Sequence, residues 1–212
     1  MKRTSAVILA LLTPLAGCSQ SPQPAPSTPA PPPNTSASVV STPSVPPPLI
    51  ATPRGWTIPA SDAQAGWHPT SAGVSIAPVP DAPTSFDVGY TRRKGTASGA
   101  AFVLPRGATS SLRSIIITAS ASPDQRLYVC MTDAQGVVWT FPTMRLTSTA
   151  RAIELSAADV GPDPYQNAGK TPPPLPDWST MEMLTILDIS AHMGAPAVPC
   201  RWTVHAVEGV VR

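Results

Sequence analysis

The chain has 212 residues, 29 of them proline, and only 12% are charged. That length accommodates one domain of ordinary size. Lys2 and Arg3 account for the whole formal net charge of +2, leaving twelve Lys+Arg against twelve Asp+Glu in the rest. A neutral chain has no electrostatic footprint for nucleic acid.

The N-terminus reads Met1-Lys2-Arg3-Thr4, followed by the apolar run Ala6-Val7-Ile8-Leu9-Ala10-Leu11-Leu12. A positive segment before a short apolar one is the layout of a secretory signal. The run is too short to span a membrane, which needs about 20 residues. It ends in Leu15-Ala16-Gly17-Cys18, and the whole resembles a bacterial lipoprotein signal closing on its lipobox. The resemblance implies that residues 1–17 are removed and that Cys18 is acylated, anchoring the protein in a membrane of the cell envelope. Ser19 after the cysteine favours the outer membrane in bacteria that have one.

From Cys18 to Pro53 the chain is mostly Pro, Ser, Thr and Ala, with Pro31-Pro32-Pro33 and Pro46-Pro47-Pro48. Such a composition buries too little surface to offset its ordering entropy, so a disordered linker is expected. In polyproline II it would reach about 100 Å. One domain is then expected over 54–212, opening with an irregular lead-in over 54–85 in which Trp56 and Trp67 are anchors.

Strands follow. Phe86 to Arg92 and Ala97 to Leu104 flank a turn at Gly95. Leu112 to Ala121 sets Ile115, Ile117 and Ala119 on one face against Ile116, Thr118 and Ser120, the period-2 signal of a strand. Gln125 to Thr132 alternates Leu127, Val129 and Met131 against Arg126, Tyr128 and Cys130. Asp133-Ala134-Gln135-Gly136 reads as a turn, after which Val137, Trp139 and Phe141 share a face. Short runs at Ala152 to Leu155, Met183 to Ala191 and Arg201 to Val211 complete the set. Ser156 to Val160 has room for a single helical turn. Gly161 to Asp177 is a proline-rich loop, and loops of that length in a domain are usually functional or mobile. The class this predicts is all-β, an antiparallel β-sandwich of jelly-roll type.

Ser98-Gly99-Ala100-Ala101-Phe102, Leu127-Tyr128-Val129 with Asp133-x-x-Gly136, Leu184 to Ile189 and the strand around Trp202 together resemble the galactose-binding-domain-like sandwich of many carbohydrate-binding modules. The resemblance implies a fold and a binding role; it carries over no ligand residue and no cofactor. Asp133 reads as a turn residue rather than a metal ligand.

Zinc-protease, nucleophile-elbow and phosphate-loop motifs are absent from the sequence. Cys130 and Cys200 remain after Cys18 is set aside, an even pair expected to form a disulfide in an oxidising compartment. Closing about 70 residues, it would contribute on the order of 4 kcal/mol. Their strand parities conflict, since Cys130 shares a face with Tyr128 and Cys200 with Trp202. If Ile115, Leu127, Met131 and Val204 face the core, alternation sends Thr118, Ser120, Arg126, Tyr128, Arg201, Thr203 and His205 outward. Gathered on one sheet, Arg126, Tyr128, Arg201, Thr203 and His205 would form a sugar-binding groove. The expected function is a non-catalytic, lipid-anchored envelope protein that binds glycan or cell-wall material. The alternatives are an accessory subunit docking envelope proteins and, third, a hydrolase using His205 or Asp188, the latter paired with Glu182.

Overall fold

The computed structural model describes residues 48–60 and 66–212. The signal segment, Cys18 and most of the expected linker lie outside the described residues. Among the described residues fourteen strands run in chain order: β1 (Ile50–Thr52), β2 (Gly55–Thr57), β3 (Trp67–Pro69), β4 (Ser75–Pro78), β5 (Phe86–Thr91), β6 (Ser98–Val103), β7 (Leu112–Ser122), β8 (Gln125–Asp133), β9 (Val138–Thr140), β10 (Met144–Leu146), β11 (Arg151–Ser156), β12 (Gly161–Pro162), β13 (Met181–Asp188) and β14 (Pro199–Val211). Among the described residues the only helical elements are two single 3-10 turns, Ala157–Asp159 and Trp178–Thr180. Ser156 caps the first by accepting a hydrogen bond from the Ala158 N–H, placing it where one turn was expected.

The strands form two antiparallel seven-stranded sheets, a β-sandwich. In the first, β14 is the central strand, pairing with β7 along one side and with β5 and β2 along the other. β11, β4 and β1 lie at its margins. The second runs β12-β9-β8-β13-β6-β3, with β10 also on β8. From β5 to β8 each successive strand crosses to the other sheet, so the sheets are tied together by non-local pairing.

Alternation decides what faces inward. Ile115, Ile117, Ala119, Leu127, Val129, Met131, Leu184, Ile186, Trp202 and Val204 are all fully buried, one face of each strand filling the space between the sheets. An aromatic chain bridges them. The Trp67 ring lies 4.5 Å from Phe86 and 5.4 Å from Phe102, and Phe86 lies 6.4 Å from Trp202. Trp67 is therefore the anchor it was expected to be, and so is Trp56, whose indole N–H donates to the Ala108 carbonyl at 2.9 Å.

The lead-in differs from expectation. It is not irregular: β2, β3 and β4 lie within it, and β1 forms from the last residues read as linker. These strands are three or four residues long and pair with β14, β6, β5 and β2. Too short to show alternation, β2, β3 and β4 exist because longer neighbours offer them a free edge, and β1 adds to the edge of β2.

Close packing leaves no room at Gly99 on β6. A Cβ there would stand 1.9 Å from the Ile186 carbonyl oxygen and 2.9 Å from the Leu187 Cα. Both are backbone atoms of the paired strand β13, which cannot swing aside. Gly99→Ala should therefore destabilise the domain by about 3 kcal/mol, the upper end of overpacking costs, read as a lowered urea midpoint with unchanged slope.

Candidate functional site

The outward residues of the second sheet form the floor of a groove. Tyr128, Cys130 and Thr132 come from β8, Met183, Thr185 and Leu187 from β13, and Ala101 from β6. Its larger part has a volume of about 920 Å³ and adjoins, through Ala97, Gln166 and Leu187, a second hollow of about 380 Å³. The lining is predominantly apolar, with Phe141, Pro142, Pro164 and Met193 among the walls. A concave, largely apolar groove with a few placed polar groups is the usual form of a small-molecule site.

Both walls are built by buried carboxyl or amide groups. The first is the proline-rich loop after β12. Asp163, 5% exposed, accepts from the backbone N–H groups of Tyr165 at 2.8 Å and Gln166 at 2.6 Å. Its other oxygen accepts from the Tyr128 hydroxyl. Asn167 fixes the far side, accepting from the Val138 N–H at 3.0 Å and donating to the Val138 carbonyl at 2.7 Å. The loop is thus pinned to the sheet, and it presents Tyr165 with 87% of its surface exposed. An aromatic so exposed has no packing role in the domain.

The second wall, residues 189–195, follows β13. Asp188 ends that strand facing inward and accepts from the Ser190 N–H at 2.8 Å and from its hydroxyl. The Ser190 oxygen in turn accepts from the Arg126 N–H at 2.8 Å. The other Asp188 oxygen takes the Tyr90 hydroxyl at 2.6 Å and Arg92 Nε at 3.1 Å. Burial first, then the adjoining carboxylate, raise the Tyr90 hydroxyl far above its ordinary range. This wall carries His192 and Met193 to the groove.

The residues expected to gather on one face do not. Arg126 and Tyr128 are on β8 of the second sheet, whereas Arg201, Thr203 and His205 are on β14 of the first. Each set points away from the core, so the sandwich lies between them. Arg201 and Thr203 are occupied by Asp87, the Thr203 hydroxyl at 2.6 Å, and His205 Nε2 lies 3.2 Å from Ser120 Oγ. Burial of Asp87 would raise its carboxyl, but the Arg201 and Thr203 hydrogen bonds with the Arg201 and His205 charges outweigh this and hold it below its usual range. His205 also sits at a bulge, where pairing to β7 steps from Val204 to Ala206. The extra residue reverses parity along the rest of β14.

The expected disulfide is likewise corrected, since Cys130 and Cys200 are both free thiols. Cys130 is in the groove floor, while Cys200 faces the interior with the core residues of β14. The second sheet separates them, the conflict already visible in their parities. Burial, reinforced by Asp163, pushes the Cys130 thiol up to about 12, so it stays protonated and unreactive at neutral pH.

The carboxylates considered for hydrolysis do not form a pair. Glu182 and Asp188 stand at opposite ends of β13, about 20 Å apart at strand rise, well beyond the 5 to about 9.5 Å of a glycosidase pair. Asp133 is the turn residue it was read as, accepting from the Gln135 and Val137 N–H groups and from the Trp139 indole. Among the described residues there is no group of three or more His, Cys, Asp or Glu that could hold a metal ion. Arg92, the first of the basic Arg92-Arg93-Lys94 run, is buried on Asp188 instead of joining a charged surface.

No protein-family model and no curated protein matches the sequence. Solved structures do share the fold. The chain is similar to the family 11 carbohydrate-binding module of a cellulosomal cellulase of Clostridium thermocellum, with a TM-score of 0.54 and 14% identity over 74% of this chain and 95% of that one. A family 11 module from Clostridium thermocellum in complex with a β-1,3-1,4-mixed-linked tetrasaccharide gives a TM-score of 0.53 and 16% identity, over 69% and 88% of the two chains. At such identities the likeness is one of fold.

Proposed function

We propose that this protein is a non-catalytic glycan-binding module held at the cell envelope by an acylated Cys18. The observation that carries the binding reading is the groove itself, an open apolar trough whose pinned wall exposes Tyr165. Sugar rings present apolar faces that stack on aromatic side chains and hydroxyl edges that seek hydrogen bonds. Tyr165 supplies the first, with Gln166, Thr140 and His192 available for the second. The shared fold with a module described in complex with a tetrasaccharide supports the same reading.

A panel of soluble polysaccharides run in affinity electrophoresis against the purified full chain tests it. At least one glycan should retard the protein. Tyr165→Ala should weaken that interaction about thirtyfold, the effect of losing an anchor worth about 2 kcal/mol, with unfolding unchanged because the side chain packs on nothing in the core. Retardation equal in both proteins would place the ligand elsewhere.

The anchor rests on Leu15-Ala16-Gly17-Cys18 following the short apolar run. Cells fed a labelled fatty acid should incorporate label into the wild-type chain and none into Cys18→Ser. Label persisting in that variant would remove the anchor from this reading.

A further inference from the structure

Past Met193 the groove opens into a third hollow, of about 430 Å³, lined by Asp124, Arg126, Arg145 and Ser190. Met193 belongs to both. Arg126 and Tyr128 are two residues apart on β8, so their side chains leave the same face about 7 Å from each other. Arg145 of β10 is the direct cross-strand partner of Arg126. Two arginines are therefore held side by side, both exposed, an arrangement that is destabilising without a counter-charge. Asp124 supplies one, bonded to Arg145 at 2.8 Å. Arg126 makes no ion pair among the described residues. The one other carboxylate on the groove, Asp163, has its oxygens turned to Tyr128, Tyr165 and Gln166.

We infer that the groove takes an anionic glycan, with a sugar-borne carboxylate or ester anion seated on Arg126 and Arg145 beside rings stacked on Tyr165. The inference rests on the glycan-binding reading and adds the charge class of the ligand and its direction along the groove. A guanidinium recognises carboxylate, sulfate and phosphate through the same forked hydrogen bonds, so the sources have to be told apart by experiment.

Three forms of one glucan serve as probes for the full chain: the neutral polymer, one with part of its primary alcohols oxidised to carboxylates, and one sulfated. At low salt an anionic form should bind about tenfold more tightly than the neutral form. Raising ionic strength from about 0.01 M to about 1 M, which shortens the Debye length from about 30 Å to about 3 Å, should erase the difference. Arg126→Gln with Arg145→Gln should erase it too while leaving neutral binding in place, and Tyr165→Ala should weaken all three forms. Preference for the carboxylated or the sulfated form identifies the anion, and either supports the inference. Equal binding of all forms, or a preference that survives the arginine substitutions, overturns it while leaving glycan binding intact. No binding of any form overturns both.

Discussion

Asp188→Ala should destabilise the domain by about 3–5 kcal/mol, the cost of stranding a buried charge. The side chains of Arg92 and Asp188 are 4% and 1% exposed, and the same carboxylate takes the Tyr90 hydroxyl and the Ser190 N–H. Its removal leaves a guanidinium and an amide in the interior without an acceptor, and leaves the Tyr90 phenol only its longer bond to Gln125 Oε1 at 3.3 Å. One Arg92 nitrogen is already without a partner, so there is no second acceptor for it to turn to. Against a typical stability of about 5–15 kcal/mol, this is a large fraction of the total. Denaturant melts of the single variant and of Arg92→Met/Asp188→Leu separate charge from packing. The double variant should recover part of the loss, because apolar side chains can replace a buried ion pair at little cost. It should not recover all of it, since Ser190 still lacks its acceptor. The groove wall at 189–195 is tied to this carboxylate, so the single variant should also lose glycan affinity below its melting temperature.

Trp202→Ala should cost about 3–5 kcal/mol, the range for emptying an aromatic site in a close-packed core. Trp202 is fully buried on the central strand of the first sheet, with its edge on Phe86. The chain Trp202, Phe86, Trp67, Phe102 crosses from one sheet to the other, so the cavity would open where the layers meet. Trp202→Phe should cost much less than the alanine variant. The indole N–H has no partner, and phenylalanine removes that buried donor while keeping most of the apolar contact. Equal losses for the two variants, measured by thermal unfolding, would contradict this account of the core.

Alternation made the long strands readable. β7, β8 and β14 are long enough for one apolar and one polar face to declare themselves, and Ile115, Leu127 and Val204 point where their parity sent them. Parity cannot say which strands share a sheet. Alternation alone therefore groups Tyr128 with His205 although the sandwich separates them, whereas the conflicting parities of Cys130 and Cys200 agree with their places on opposite sides of the second sheet. The bulge at His205 is invisible in sequence because the residues around it keep a strand composition. The short strands of the lead-in are made by pairing with longer ones. Of the groove, Tyr128 is legible from strand alternation, whereas Tyr165 stands in a loop where no periodicity marks it. Its signal was present, as the one aromatic in a long loop of prolines between Gly161 and Asp177.

Methyl NMR of the methionines in the full chain reports most directly on whether glycan occupies the groove. Met183 lies in the groove floor and Met193 on its wall, while Met131 and Met181 are fully buried. Titration with a glycan that the chain retains should move the Met193 and Met183 resonances progressively and leave those of Met131 and Met181 in place. Saturable binding with no change at Met193 or Met183 would contradict the assignment of this groove as the binding site.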